Sequence, residues 1–173
     1  MKRHLLFLLT LFFALAGCTD DDSGPLPPAT QTGAGTFGCT VNGKNFVDNS
    51  GSYNCYYQYV DGGYYFGISG NDESIDPVSV NLFTTKKTLS EGEVLLLKSI
   101  TDGNASGGGF FYVGNSGDGA RTDDDAYTGE LTITRFDPVT RVVSGTFWFD
   151  LKHPVSGRRI EIREGRFDTL FGM

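Results

Sequence analysis

The feature that most constrains this chain is the recurrence of short alternating apolar runs, broken by turn residues about every eight to twelve positions. From Thr36 onward aromatics are abundant, and glycine makes up 24 of 173 residues. No segment after Cys18 repeats apolar residues at i, i+3, i+4 and i+7, so the pattern predicts strands and very little helix. Phe37, Cys39 and Val41 alternate, and Asn42-Gly43 then gives a two-residue hairpin signal into residues 44–47. Residues 53–60 and 64–69 flank Asp61-Gly62-Gly63 as a second hairpin. Val78, Val80 and Leu82 share one face of the next strand, and residues 94–98 and 109–113 form two more.

The last 45 residues read most clearly. Residues 128–136 form a strand, Asp137-Pro138-Val139-Thr140 a turn with proline in its favoured second position, and residues 141–151 the return. In that return Val143, Gly145, Phe147, Phe149 and Leu151 fall on one face, with Thr146, Trp148 and Asp150 on the other. Ile160 and Ile162 are out of phase with Phe167 and Phe171, so one residue must absorb the slip, and Gly165 suits a bulge. The expectation is a single antiparallel β domain over residues 36–173: a sandwich or flattened barrel of about 8–10 strands with a C-terminal meander.

The N-terminal end has a different character. Lys2 and Arg3 precede an apolar run from Leu5 to Ala16, interrupted only by Thr10. Twelve residues are too few to cross a hydrocarbon core of roughly 30 Å as a helix. They have the length of a signal-peptide core. The run ends in Leu15-Ala16-Gly17-Cys18, which resembles the lipobox of bacterial lipoprotein precursors. That resemblance implies cleavage between Gly17 and Cys18, and diacylglyceryl and acyl (palmitate-like) chains on Cys18. The alternative is an ordinary secreted chain whose Cys18 joins a disulfide. Two or three acyl chains anchor a protein almost permanently, at about 0.8 kcal/mol per buried methylene. Asp20, Asp21 and Asp22 resemble the surface-export signal of Bacteroidota lipoproteins, and equally suit a solvated tether. Residues 1–17 are therefore read as signal peptide, and 18–35 as lipidated cysteine and flexible stalk.

Removing the signal peptide leaves 156 residues with 12 basic and 21 acidic side chains, a net charge of −9. Such a surface repels phosphates, which argues against nucleic-acid partners.

Thr36-Phe37-Gly38-Cys39-Thr40-Val41-Asn42-Gly43, with Leu26-Pro27-Pro28-Ala29-Thr30-Gln31-Thr32-Gly33 before it, resembles the start of a group of uncharacterised Bacteroidota lipoproteins. Ser144-Gly145-Thr146-Phe147 and Gly165-Arg166-Phe167-Asp168 are similar to that group's other recurring stretch. The resemblance implies an all-β, lipid-anchored protein of the outer membrane and carries no activity over; Asp20 to Asp22 add the expectation that it faces the exterior.

Candidate chemistry is sparse. Cys39 and Cys55 can form a disulfide or stand as two buried thiols. Adjacent placement of the first three strands would put them about 9.5 Å apart, beyond the ~7 Å a disulfide spans. His153 is the one histidine outside the signal peptide, and is read as an exposed loop residue rather than a triad member. Asn115, Asp118, Asp123, Asp124 and Asp125 crowd a glycine-rich loop, and Asn71-Asp72-Glu73 forms another, without the spacing of a calcium motif. No metal, cofactor or catalytic residue is assigned. Tyr56, Tyr57, Tyr59, Tyr64 and Tyr65, with Tyr53, gather in one hairpin; Tyr53, Tyr57 and Tyr59 point one way and Tyr56 the other. They offer stacking faces for a glycan or protein, or simply suit strands. The functional expectation is a non-enzymatic, membrane-anchored domain that binds a glycan or protein. The alternatives are an envelope-assembly protein acting through strand edges and, third, a carboxylate-dependent hydrolase.

Overall fold

The computed structural model describes residues 24–51 and 54–173. The signal peptide, Gly17, Cys18, Asp20 to Asp22 and Tyr53 lie outside the described residues. The described residues hold eleven strands and no helix. In chain order these are β1 (Thr36–Val41), β2 (Lys44–Val47), β3 (Asn54–Val60), β4 (Gly63–Asn71), β5 (Ser79–Thr84) and β6 (Val94–Leu97). Then come β7 (Ala105–Val113), β8 (Ser116–Arg121), β9 (Gly129–Asp137), β10 (Val142–Lys152) and β11 (Arg159–Leu170).

All belong to one sheet in the order β2-β1-β11-β10-β9-β6-β7-β5-β4-β3, with β8 paired to β7. The sheet curls on itself, so that Phe66 of β4 and Phe167 of β11 meet with ring centroids 6.1 Å apart. The curled sheet forms a half-barrel, as the expectation of a sandwich or flattened barrel allows. Its seam is stitched by the tail beyond β11: the Tyr57 N–H donates to the Gly172 carbonyl at 2.8 Å, and the Gly172 N–H to the Cys55 carbonyl at 2.9 Å. Across the same gap the Val47 N–H donates to the Asp72 carboxylate at 3.3 Å, and the Asn49 N–H to the Asn71 carbonyl at 3.1 Å.

Both hairpin signals are realised. Asn42 and Gly43 have φ of 49° and 81°, and Asp61 and Gly62 have 46° and 83°. Two successive left-handed residues make the turn whose twist matches a hairpin. Gly63 consequently belongs to β4 rather than to the turn.

Three expectations about the strands are corrected. The sheet is mixed, because Leu97 of β6 pairs parallel with Ala105 of β7. Residues 98–104 loop out and rejoin the sheet level with the end of β6, where the Lys98 N–H donates to the Ala105 carbonyl at 2.9 Å, so β7 continues in the direction of β6. Part of the acidic, glycine-rich loop is the strand β8, which pairs from Ser116 to Arg121 along β7. It shows no apolar alternation because it is exposed along nearly its whole length. The slip in β11 falls where Phe147 opposes Gly165 and Phe149 opposes Ile162. There it is Glu164 that takes the left-handed conformation, at φ 51°. Gly165 serves a different need: a Cβ at that position would lie 2.4 Å from atoms of the Phe147 ring.

The barrel interior is filled by side chains. Phe147 packs against Phe37, Phe149 and Phe167 at centroid distances of 5.3, 6.0 and 6.4 Å. Glycines on the opposite wall make room for these rings: a Cβ on Gly107 would come 2.9 Å from the Phe149 ring. Composition is explained in this way, since many glycines here are the concave partners of many phenylalanines.

Residues 24–35, expected to be a free stalk, instead form a strap along the barrel. The Asn45 amide donates to the Gly24 carbonyl at 2.9 Å, and Pro27 lies close enough to Gly38 that a Cβ there would sit 2.7 Å from its Cδ. The buried Asp168 then gathers the strap's donors. Its carboxylate accepts from the Thr30 hydroxyl at 2.6 Å, the Thr32 N–H at 2.9 Å, the Gly33 N–H at 2.8 Å and the Ala34 N–H at 3.2 Å. The Ser144 hydroxyl adds a bond at 2.8 Å from inside the sheet. Burial by itself would raise this carboxyl's pKa, but the donors outweigh it and hold it well below the usual range. Small polar residues read as disordered chain; what orders them is a partner 130-odd positions away.

Candidate functional site

The structure divides the tyrosine cluster between two faces. In β3 and β4, Tyr59 opposes Tyr64, Tyr57 opposes Phe66, and Tyr56 opposes Gly67. Tyr57 is buried, with its hydroxyl accepting the Leu89 N–H at 3.3 Å. Burial pushes its phenol pKa up, and the Leu89 bond offsets part of that. Tyr64 stacks on Tyr57 at 4.7 Å with nearly parallel planes, and Tyr59 meets Tyr64 edge-on at 5.1 Å. Beneath them Phe136 and Phe171 close on Tyr57 at 4.9 and 5.7 Å. The result is a ladder of rings from the core to the surface. Tyr64 is 37% exposed and Tyr59 65%.

Tyr57 and Tyr59 point to the same side, as alternation predicts, yet one is core and the other surface, because β3 runs past the end of the barrel. With Val60, Pro138, Phe171 and Met173 they line a groove of about 440 Å³ at this rim. Gln58 is its one amide side chain.

Tyr56 faces outward. Its ring lies over Gly67, in a row that continues to Phe83 of β5. The Arg121 guanidinium stands 5.6 Å above the Phe83 ring. Asn54, Ser69 and Asn81 complete a shallow outer trough. Tyr65 is half-buried opposite Gln58. The five tyrosines therefore do not form one patch: Tyr57, Tyr59 and Tyr64 make the rim groove, and Tyr56 belongs to the trough.

His153 and Asp123 have structural roles. His153 is not exposed: its ring packs on Phe111 at 5.0 Å. Its Nδ1 accepts the Val155 and Ser156 N–H groups, each at 3.2 Å, and its Nε2 lies 3.5 Å from Asp76. Both ring nitrogens are engaged, so none is left to activate a hydroxyl. Asp123 accepts the Tyr127 and Asp125 N–H groups, which hold its carboxyl below the usual range and fold its own loop. Among the described residues no three His, Cys, Asp or Glu side chains converge as a metal site would require.

Cys39 in β1 and Cys55 in β3 are buried, free thiols. The first three strands do not lie side by side, since β3 stands at the far end of the strand order from β1. Burial pushes both thiols far up, which leaves almost no thiolate at neutral pH. We expect neither to react with an aromatic disulfide reagent at pH 8 in the folded protein, and both to react in denaturant. A mass two units lower without reductant would show a bond instead.

Comparison with protein-family models, with curated proteins and with solved structures gives no match. Among the described residues no helix is long and apolar enough to cross a membrane.

Proposed function

We propose that this chain is a lipoprotein anchored through Cys18 in the outer membrane and facing the exterior. Its barrel is a non-catalytic domain that holds a protein partner at the Tyr57–Tyr59–Tyr64 groove. The observation that carries the reading is the ring ladder itself. Tyr59 and Tyr64 are exposed aromatics fixed by stacking, so little rotamer entropy is lost when they are covered. Rigid tyrosines in an apolar recess are typical anchors of protein interfaces.

The groove's lining favours a protein over a glycan. Val60, Pro138, Phe171 and Met173 offer no side-chain hydrogen bonds to sugar hydroxyls, which would leave water uncompensated. Assembly by strand addition is less supported, because β2 is only four residues long and β3 is bridged at Tyr56 by the C-terminal tail. A barrel filled by phenylalanines also speaks for binding over catalysis.

The test is site-specific photocrosslinking in cells, with benzoylphenylalanine replacing Val60 in the groove or Val155 at the opposite end. The expected result is a discrete protein adduct from position 60 alone, abolished by Tyr59→Ala with Tyr64→Ala. Cys18→Ser should release the protein from the membrane fraction. No adduct at position 60, or equal adducts at both positions, would overturn the partner reading; membrane retention of the Cys18→Ser chain would overturn the anchor.

A further inference from the structure

Trp148, the single tryptophan of the chain, projects from the outer face of β10, away from the core and from the tyrosines. It is 38% exposed. We infer that the groove beside it binds a neutral sugar residue, with the indole as platform and Glu130, Glu164 and Arg166 as hydroxyl partners. This site stands independently of the tyrosine groove.

Strand register assembles the groove. Trp148 opposes Glu130 of β9, and Thr146 opposes both Thr132 of β9 and Arg166 of β11. Thr132 and Thr146 thus make a polar floor between an aromatic wall and a guanidinium wall. Gly165 lines it without a side chain, and the bulge at Glu164 brings that carboxylate to the same recess. A bulge is a means of re-aiming a side chain, and the one that absorbs the slip in β11 places Glu164 at this recess. The volume, about 480 Å³, falls in the range of ~300–1,000 Å³ common for small-ligand sites.

The walls are held in place. The Trp148 indole N–H donates to Glu130 at 3.2 Å. Arg163 sits 5.5 Å from the indole centroid, fixed on the Asp150 side by a 2.7 Å ion pair. Arg166 donates to the Glu164 carbonyl at 3.0 Å, pairs with the Glu164 carboxylate at 3.6 Å, and reaches the strap's Pro27 carbonyl at 3.5 Å. A site whose polar groups are pre-set loses little entropy on binding.

Chemistry selects the ligand. A phosphate or uronate would meet two carboxylates and a guanidinium already paired with one of them. An ammonium group would meet the Arg166 guanidinium in the same recess. A neutral ring with vicinal hydroxyls meets no such conflict. Its hydroxyls donate to the glutamates and accept from Arg166 and the threonines, while its C–H face packs on the indole.

Because Trp148 is the sole tryptophan, its emission reports the site directly. We would titrate the purified soluble chain lacking residues 1–18 with neutral cello-, xylo-, manno- and galacto-oligosaccharides, and with oligogalacturonate as the anionic comparison. At least one neutral series should give a saturable emission change, and the anionic oligomer none. Glu130→Gln and Glu164→Gln, which keep shape and melting temperature, should each weaken binding at least about tenfold. Tyr59→Ala should leave it unchanged. Calorimetry with Trp148→Ala should show no heat of binding. Silence of every neutral series up to millimolar concentration, stronger binding of the anionic oligomer, or unaltered affinity in Glu164→Gln would overturn the assignment.

Discussion

Asp168→Asn should destabilise the barrel by about 3 kcal/mol, the cost expected when a buried carboxylate with several donors loses its charge. For a domain of this size that lowers the melting temperature by roughly 10 °C. The asparagine keeps the shape but turns one acceptor oxygen into an N–H₂ group facing the donors of Thr30, Thr32, Gly33 and Ala34. Hydrogen exchange at the amides of residues 32–34 should accelerate first, because their partner is the altered group. The effect has a pH signature. The carboxyl's folded pKa lies below its unfolded value of about 3.9. Its contribution is therefore complete above that value and is lost as pH falls toward the folded one. The gap between wild type and Asp168→Asn should be constant from pH 8 to 5 and narrow below about pH 4. A gap that does not narrow in acid would mean that the charge is not what holds the strap.

Gly165→Ala should cost about 3 kcal/mol, at the upper end of what overpacking usually costs. The new methyl would lie 2.4 Å from atoms of the Phe147 ring, and Phe37, Phe149 and Phe167 pack against that ring and hinder its retreat. Gly119→Ala in β8 is the matched control: the one atom within reach of its Cβ is the Gly109 carbonyl oxygen at 3.8 Å. It should change stability by less than about 0.5 kcal/mol. Equal melting temperatures for the two variants would refute the close-packing account.

What the sequence made legible follows from what is local. Asn42-Gly43 and Asp61-Gly62 specify their turns within two residues, and the alternation of Val143 to Leu151 is a property of one strand. The C-terminal meander could be read for that reason. The parallel step at Leu97–Ala105 and the strand Ser116–Arg121 could not, because neither leaves an apolar pattern of its own. The strap was hidden more deeply: Thr30, Thr32 and Gly33 carry no hydrophobic signal, and their partner Asp168 is remote. For the sites, the crowding of tyrosines was visible but their division was not, since burial depends on where the barrel ends. Trp148 was placed on the outward face by alternation. That was the available signal for its groove, but Glu164 and Arg166 joined it only through the bulge.

The strap also fixes an orientation. It runs from Gly24, beside Asn45, past Pro27 at Gly38, to the donors that meet Asp168 opposite Thr36, so it travels the length of β1 in reverse. The anchor-side end of the chain therefore enters towards the Asn42-Gly43 end of the barrel, whereas Pro138, Phe171 and the tyrosine groove lie at the other. Six residue steps separate Cys18 from Gly24, a reach of at most about 20 Å. On the proposal that Cys18 carries lipid, the Asn42 end of the barrel would lie nearer the bilayer, and Tyr59 and Tyr64 at the end away from it.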